Sequence, residues 1–213
     1  DENSTQKIRE DQYETYKTTE SIFEKQLHAY TITHAIDDRN VLKFHIDYFK
    51  GEGSVKAKPG EAIAQQAVAE AIIAKHDKAT NQRKFNAVLA TASINNAIEY
   101  YRLFKEIQKQ KQAENPDFVP LNIACVFSPP AEGNKDVQQI QEDLPQEKED
   151  NKQNPEEKKK ALKEIIADYN TQFGTNHDIN NFDLYYQDVQ SRIKNQKYSN
   201  KDYPQKNKID ITI

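Results

Sequence analysis

Hydroxyl side chains mark the point where a predicted strand runs into a predicted helix. Thr91 and Ser93 follow an apolar run that begins at Phe85, and they precede a long amphipathic stretch that begins at Ile94. A helix N-terminus offers free backbone N–H groups and a positive dipole end, so this turn suits a phosphate. Ser93 is also a good residue to cap the helix. Spacing alone leaves phosphate binding and simple capping both open.

A third hydroxyl, that of Ser128, follows the next predicted strand, which begins at Leu121. In open α/β sheets, ligands bind beyond the carboxyl ends of the strands. If the two strands are parallel, Ser128 lies near the same sheet edge as Thr91 and Ser93. We therefore predict one candidate site that contains these three residues.

The sequence lacks the common catalytic signatures. It has no GxxxxGK[ST] loop, no GxGxxG fingerprint, no HExxH or CxxC metal motif and no GxSxG elbow. The acid pairs Asp37-Asp38 and Glu149-Asp150 lie in predicted loops or charge runs, where we expect them to face solvent. The histidines are scattered at His28, His34, His45, His76 and His177. No catalytic or metal-binding residue is predicted, and the chain alone is expected to have no catalytic activity.

Composition favours a globular core with long polar connections. The chain has 213 residues, of which 36% are hydrophobic and 30% charged, and its formal net charge is −4. The overall electrostatic field of the chain therefore does not attract nucleic acid, and DNA would have to bind to local basic patches. The single cysteine, Cys125, fits a reducing compartment. No apolar run approaches the roughly 20 residues of a membrane span, so we expect a cytoplasmic protein without membrane contact.

The ends of the sequence predict a piece of a longer protein. The first residue is Asp1 rather than Met, and the last residues, Ile209 to Ile213, form an apolar β-type run. Domain boundaries usually fall in polar linkers, and a strand is a poor place to stop.

The first part of the chain is predicted to hold helices, loops and one strand. Residues 1–20 are polar without periodicity, which predicts an arm or loop. Alternation from Val41 to Phe49 predicts a half-buried strand. Apolar spacing predicts helices from Ser21 to Tyr30 and from Glu61 to Asp77, with a short helical turn over residues 32–36. The basic residues 75–84 are predicted to form a solvated turn, with a phosphate contact as the alternative.

Strands and helices alternate in the rest of the chain. Phe85–Ala90 and Leu121–Phe127 are typical of strands covered on both faces, and Ile209–Ile213 is predicted to be a third strand. Helices are predicted from Ile94 to Ile107, from Pro155 to Phe173 and from Phe182 to Ile193, and Gly174 ends the second. The tyrosines of the last helix fall on its apolar stripe, which favours core packing over base stacking. Residues 131–154 form a charged insertion.

The order of these elements defines the fold class. A strand, a helix and a strand at crossover spacing imply a parallel, right-handed βαβ unit. With a third strand after the insertion, we predict an α/β fold with a mainly parallel sheet flanked by helices, plus a helical insertion.

Several phrases of the sequence resemble one family, the R (restriction) subunit of type I restriction–modification enzymes. FNAVLATASINNAIEYYRLFKEI, residues 85–107, resembles the start of the second RecA-like lobe of that subunit. Residues 28–49 resemble the segment that joins its two motor lobes, and LNIACVFS, residues 121–128, is similar to its next strand. Residues 169–195 resemble its Tyr-rich insertion, and KIDITI, residues 208–213, resembles the strand that leads into helicase motif V.

The resemblance implies part of a RecA-like lobe, of the P-loop NTPase type, in a superfamily 2 motor. Residues 1–40 would be an arm and connecting helices from the first motor lobe, and residues 41–130 the first part of the second lobe. Residues 131–208 would be the charged, partly helical insertion, and residues 209–213 a truncated strand of the same lobe. Thr91, Ser93 and Ser128 would contact the DNA backbone, the first two within the family's motif IV region.

The resemblance also implies an activity and partners. The family's R subunit couples ATP hydrolysis to translocation along double-stranded DNA and then cleaves it, as a type I site-specific deoxyribonuclease. It assembles with modification (M) and specificity (S) subunits in the cytoplasm. The Walker A lysine, the DEAD/DEAH-type metal site, the nuclease carboxylates and motifs V and VI are missing here, so no catalytic residue is transferred. We expect ATP and Mg²⁺ in the complete subunit, and neither bound to this piece, which is predicted to be inactive alone.

Two other functions stay open. The chain could be a non-catalytic α/β interaction module whose insertion, residues 131–208, docks partner subunits. It could also be a lobe of another superfamily 2 helicase. Flanking sequence would distinguish these functions from that of the restriction enzyme. An upstream GKT motif, a DEAH-type motif and a nuclease domain would point to the restriction enzyme.

Overall fold

A computed structural model of the chain describes residues 6–10, 13–17, 22, 28–44, 46, 62–130, 145–194 and 207–213. The chain divides into two compact units, Asp1–Glu52 and Gly53–Ile213. The segments predicted to end at residues 40, 130 and 208 follow the resemblance to the family and not the compactness of the chain, so they stay predictions.

The first unit contains a β-hairpin. β1, Gln6–Glu10, pairs antiparallel with β2, Tyr13–Lys17, in a register that sets Glu10 opposite Tyr13. The prediction that residues 1–20 form an arm or loop is therefore wrong for the paired residues. Tyrosine, threonine and isoleucine favour strands, and a two-residue connection lets neighbouring strands pair locally. A hairpin forms here although the sequence shows no clear apolar alternation.

A short capped helix follows in the same unit. α1, Ile32–Asp37, confirms the predicted helical turn. The Thr31 hydroxyl accepts from His34 N, and His34 Nδ1 accepts from Thr31 N at 3.2 Å, which makes a reciprocal cap. Most of the helix predicted from Ser21 to Tyr30 lies outside the described residues.

The strand predicted from Val41 to Phe49 is wrong wherever the chain is described. Residues 41–44 and 46 are not in a strand, and all of them are exposed. Leu42 is 89% exposed. Alternation assigns side chains to two faces, but a strand also needs a neighbour for its backbone hydrogen bonds. Residues 45 and 47–49 of this prediction lie outside the described residues.

The second unit contains a three-stranded parallel sheet in the order β3-β5-β4. β3 is Ala87–Val88, β4 is Ile123–Ala124 and β5 is Ile211–Thr212. Ala87 and Ile123 both pair with Ile211, so the last strand in the sequence lies in the middle of the sheet. The predicted parallel sheet is confirmed, and each paired segment is shorter than its apolar run.

Helices make up most of the described part of the second unit. They are α2 (Ala62–Ala79), α3 (Ile94–Glu114), α4 (Pro145–Lys152), α5 (Pro155–Phe173) and α6 (Phe182–Lys194). α2, α3, α5 and α6 confirm predicted helices, whereas α4 lies within the charged insertion. Gly174 ends α5 in the left-handed conformation, at φ 65°, which glycine adopts without steric cost.

The core forms where the helices pack on β4 and on the central strand β5, whose Ile211 is 1% exposed. β4 is covered on both faces, because Ile123 and Ala124 are only 3% and 1% exposed. β3 differs, since Val88 is 74% exposed and Phe85 is 59% exposed. The prediction that Phe85–Ala90 is covered on both faces is therefore wrong, and β3 is an edge strand of the described sheet.

Tyr185 of α6 packs in the core, as the spacing of the tyrosines in this helix predicts. This side chain is fully buried, and its hydroxyl donates to the Cys125 carbonyl at 2.8 Å. A buried tyrosine needs a partner for its hydroxyl, and the loop after β4 supplies one. Tyr185 therefore joins α6 to the sheet and is not available to stack on a base.

Candidate functional site

The turn after β3 gives α3 a capped N-terminus. Ser93 has an extended backbone, and its hydroxyl accepts from Asn96 N at 3.2 Å. Thr91 Oγ1 donates to the Ser93 carbonyl at 3.1 Å. Both residues are partly exposed. Ser93 therefore caps the helix, and Thr91 fixes the turn that leads into it.

Ser128 lies beyond β4 and is only 2% exposed. Its main-chain N and its Oγ both donate to Glu147 Oε2, at 2.8 and 2.7 Å. Asn151 Nδ2 donates to the Ser128 carbonyl at 2.8 Å. Glu147 and Asn151 both belong to α4, so this helix gives Ser128 an anionic partner.

α4 also reaches the other turn of the candidate site. Asp150 Oδ2 accepts from the main-chain N of Ile94, the first residue of α3, at 3.0 Å. β3 and β4 both run parallel to β5, so their carboxyl ends lie at one edge of the sheet. The β3–α3 turn and Ser128 therefore meet the same short helix. That Thr91, Ser93 and Ser128 contact DNA stays a prediction.

Glu147 and Asp150 are missing from the site predicted from the sequence. Glu149-Asp150 was expected to face solvent, and this is wrong for Asp150, which is half-buried and bonded to Ile94 N. Glu149 does face solvent, where it pairs with Lys152 at 2.5 Å. The available signal was Pro145, which suits a helix start. A helix from that residue places positions 147, 150 and 151 on one face.

The only cysteine of the sequence, Cys125, comes directly after β4. Burial, with a smaller contribution from the charge of Glu147, raises the pKa of the Cys125 thiol to about 12. The thiolate is the reactive form of cysteine, so this side chain acts as a small buried residue and not as a nucleophile.

A buried polar network lies at the opposite edge of the sheet, ahead of the strands. Arg83 donates through Nη1 and Nη2 to two main-chain carbonyls ahead of β4, at 3.0 and 2.8 Å. The buried Lys208 donates to the Arg83 carbonyl, and burial lowers the pKa of Lys208. Burial also raises the pKa of Asp210, against an opposing hydrogen bond from Asn122 N. Arg83 is thus part of the scaffold, and its guanidinium is not available to a phosphate.

Two further kinds of feature are absent from the described ranges. None of their helices is long and apolar enough to cross a membrane. Those same ranges hold no group of three or more His, Cys, Asp or Glu side chains that could bind a metal ion.

The parallel sheet and its strand–turn–helix edge define an α/β protein whose candidate site lies at the carboxyl ends of the strands. A family model gives a narrower identification. The model for type I restriction enzyme subunit R domain 3 matches residues 83–213. The match covers more than half of the chain, so the chain belongs to this family, and the resemblance found in the sequence is confirmed.

Curated relatives agree with the family model. The chain is 29% identical over 207 residues to the type I restriction enzyme SauCOLORF180P endonuclease subunit of Staphylococcus aureus (strain COL), covering 89% of this chain and 20% of the relative. It is 30% identical over 189 residues to the SsaAORF53P endonuclease subunit of Staphylococcus saprophyticus, covering 80% of this chain and 18% of the relative. The chain thus spans about a fifth of the length of these relatives.

Proposed function

We propose that the chain is part of the ATP-dependent DNA translocase motor in the R subunit of a type I restriction enzyme. The family match over residues 83–213 carries this proposal. The parallel sheet with its helices supports assignment to the second RecA-like lobe of the motor. The complete subunit would act in the cytoplasm, assembled with M and S subunits, as an ATP-dependent site-specific deoxyribonuclease.

ATP and Mg²⁺ belong to the complete subunit in this proposal. The chain has no GxxxxGK[ST] loop to cradle a triphosphate. Its contribution to the motor is therefore a surface for DNA, while another lobe holds the nucleotide and the metal.

The DNA surface that we propose is the sheet edge with Thr91, Ser93 and Ser128. Hydroxyls and the N–H groups of a helix N-terminus are donors that suit phosphate oxygens. Such contacts position the protein on the duplex without reading its sequence. This fits a motor that must move along any sequence.

The test uses a complete R subunit that contains this chain, assembled with its M and S partners. The double substitution Thr91→Ala with Ser93→Gly removes both hydroxyls, and glycine lowers N-cap stability by only a few tenths of a kcal/mol. We expect the DNA concentration that gives half-maximal ATP hydrolysis to rise at least about tenfold, since each hydrogen bond to a charged group contributes about 1.5–3 kcal/mol.

Thr171→Ala is the matched control. The Thr171 hydroxyl also donates to a main-chain carbonyl, that of Ala167 at 3.0 Å, but it lies on the exposed face of α5. This variant should leave the DNA dependence unchanged. An unchanged DNA dependence in the Thr91/Ser93 variant would remove these residues from the site, and a complete subunit without DNA-stimulated ATP hydrolysis would overturn the motor assignment.

Docking of partner subunits is the second candidate, and the outer face of α4 favours it. Lys148, Glu149 and Lys152 are exposed there, while the inner face of the helix contacts the sheet edge. The double substitution Lys148→Glu with Lys152→Glu would reverse the positive charges of this outer face and leave the inner face of α4 unchanged. Assembly with the M and S subunits would fail if the insertion docks them, and normal assembly would argue against docking.

A further inference from the structure

α4 presents three polar side chains on one face to the candidate DNA site. Glu147, Asp150 and Asn151 are spaced i, i+3 and i+4, which places them on the same side of a helix. Glu147 accepts from Ser128 N and Oγ, and Asp150 accepts from Ile94 N. The structure therefore sets one carboxylate against each of the two turns.

These carboxylates occupy the donors that a phosphate would use. A phosphate at a helix N-terminus accepts from free main-chain N–H groups and from nearby hydroxyls. Ile94 N, Ser128 N and Ser128 Oγ are donors of these kinds, at 3.0, 2.8 and 2.7 Å from carboxylate oxygens. A phosphate placed there would also face two negative charges, which would repel it.

We propose that α4 is an internal plug, which must leave the sheet edge before the DNA backbone can bind there. The inference rests on the proposed function, because it assumes that this edge is the DNA contact. It adds regulation of that contact: Glu147 and Asp150 mimic two phosphate anions and hold the site closed. DNA and α4 then compete for the same donors.

The composition of α4 fits a helix that can leave. Its sequence, PQEKEDNK, contains no large apolar residue, so polar contacts rather than hydrophobic burial hold it in place. Asn151 is 6% exposed, and within the described residues its Oδ1 has no hydrogen-bond partner. A buried acceptor without a donor destabilises the closed arrangement. Less free energy is therefore needed to release α4 from the sheet edge.

A connection to α5 keeps the plug close to the site. Lys158 is 2% exposed, and its ammonium donates to the carbonyls of Asp150 and Gln153. Asn154, between the two helices, has a left-handed backbone at φ 50°. The test therefore leaves Lys158 and Asn154 unchanged and alters only the carboxylates.

The test variant is Glu147→Gln with Asp150→Asn in the complete R subunit. Both amides keep an oxygen acceptor and the shape of the side chain, and they remove the charges that compete with phosphate. We expect affinity for double-stranded DNA to rise about tenfold, because the closed state no longer reduces the binding-competent fraction. The control is Glu156→Gln with Glu157→Gln, which removes two exposed charges at the start of α5 and should change affinity less than about twofold at physiological salt.

Hydrogen exchange of residues 145–152 supplies a readout that does not depend on the variants. DNA should accelerate exchange of these amides in the wild-type subunit, because it displaces the helix. Suppose that the Thr91/Ser93 variant loses DNA affinity, which supports the DNA site. The plug is then overturned if the Glu147/Asp150 variant binds DNA no more tightly than wild type. It is also overturned if DNA leaves the exchange of residues 145–152 unchanged. If neither variant changes affinity, the DNA site itself is overturned, and the plug with it.

Discussion

Among single residues, Asp188 shows how one carboxylate can join two helices. Its Oδ2 accepts from the Tyr169 hydroxyl at 2.7 Å and from Arg192 Nε at 2.9 Å, and it lies 3.4 Å from His177 Nε2. Burial opposes the charge of Asp188, but the hydrogen bonds from Arg192 and Tyr169 outweigh it and lower its pKa. The charged form of Asp188 therefore stabilises the contact between α5 and α6.

This contact makes stability depend on pH in a defined direction. A carboxyl group whose pKa is lowered in the folded state contributes stability above its unfolded pKa, and loses it as pH falls through the folded pKa. Asp188→Asn should lower the free energy of unfolding at pH 7 by about 1–3 kcal/mol. The difference from wild type should shrink below about pH 4. Urea unfolding at pH 7 and pH 3 measures both quantities.

The exposed Asp117 supplies the matched control, since Asp117→Asn makes the same chemical change on the surface. It should alter stability by less than about 0.5 kcal/mol at either pH. A loss in Asp188→Asn that is equal at both pH values would show that shape, and not charge, holds the two helices together.

Among the elements, α2 and α3 pack against each other, and each buries an alanine. Ala69 of α2 is 0% exposed and Ala97 of α3 is 5% exposed. Next to them, Gln65 Nε2 donates to Glu99 Oε2 at 2.9 Å and links the two helices. Alanine lets helices approach each other and costs no side-chain entropy on burial. Because Ala69 is fully buried, a larger side chain there would have to displace its neighbours.

Ala69→Leu should therefore destabilise the second unit by about 1–3 kcal/mol through overpacking. Ala74→Leu makes the same change in the same helix at an exposed position, and leucine is nearly as good a helix former as alanine. Its expected effect is within about 0.5 kcal/mol of zero. Thermal unfolding of the two variants, compared with wild type, decides whether α2 and α3 are in contact at Ala69.

The elements that the sequence predicted are those whose signals are local. α5 begins at Pro155 and ends before Gly174, as proline and glycine dictate at helix ends. The Ser93 cap was likewise readable from one turn of sequence. The bonds from Ser128 to Glu147 were not, because they depend on which face α4 turns toward the sheet edge. The strand predicted from Val41 fails for a related reason, since alternation contains no information about a pairing partner.

Across the second unit as a whole, β5 completes the sheet. It pairs with β3 on one side and with β4 on the other, and β3 and β4 do not pair with each other in the described sheet. Ile209 and Ile211 are 0% and 1% exposed. Residues from the end of the chain therefore connect strands that lie much earlier in the sequence, and contacts of this kind form slowly in folding.

Ile211→Ala should consequently destabilise the second unit more than a truncation in an outer strand. Removing a buried isoleucine side chain beyond Cβ typically costs about 2–5 kcal/mol, because the cavity that remains closes only partly. Val88→Ala is the comparison, since Val88 also lies in a strand of this sheet but is 74% exposed. Its expected cost is below about 1 kcal/mol. Urea unfolding of the whole chain measures both values, and equal losses would mean that β5 does not hold the sheet together.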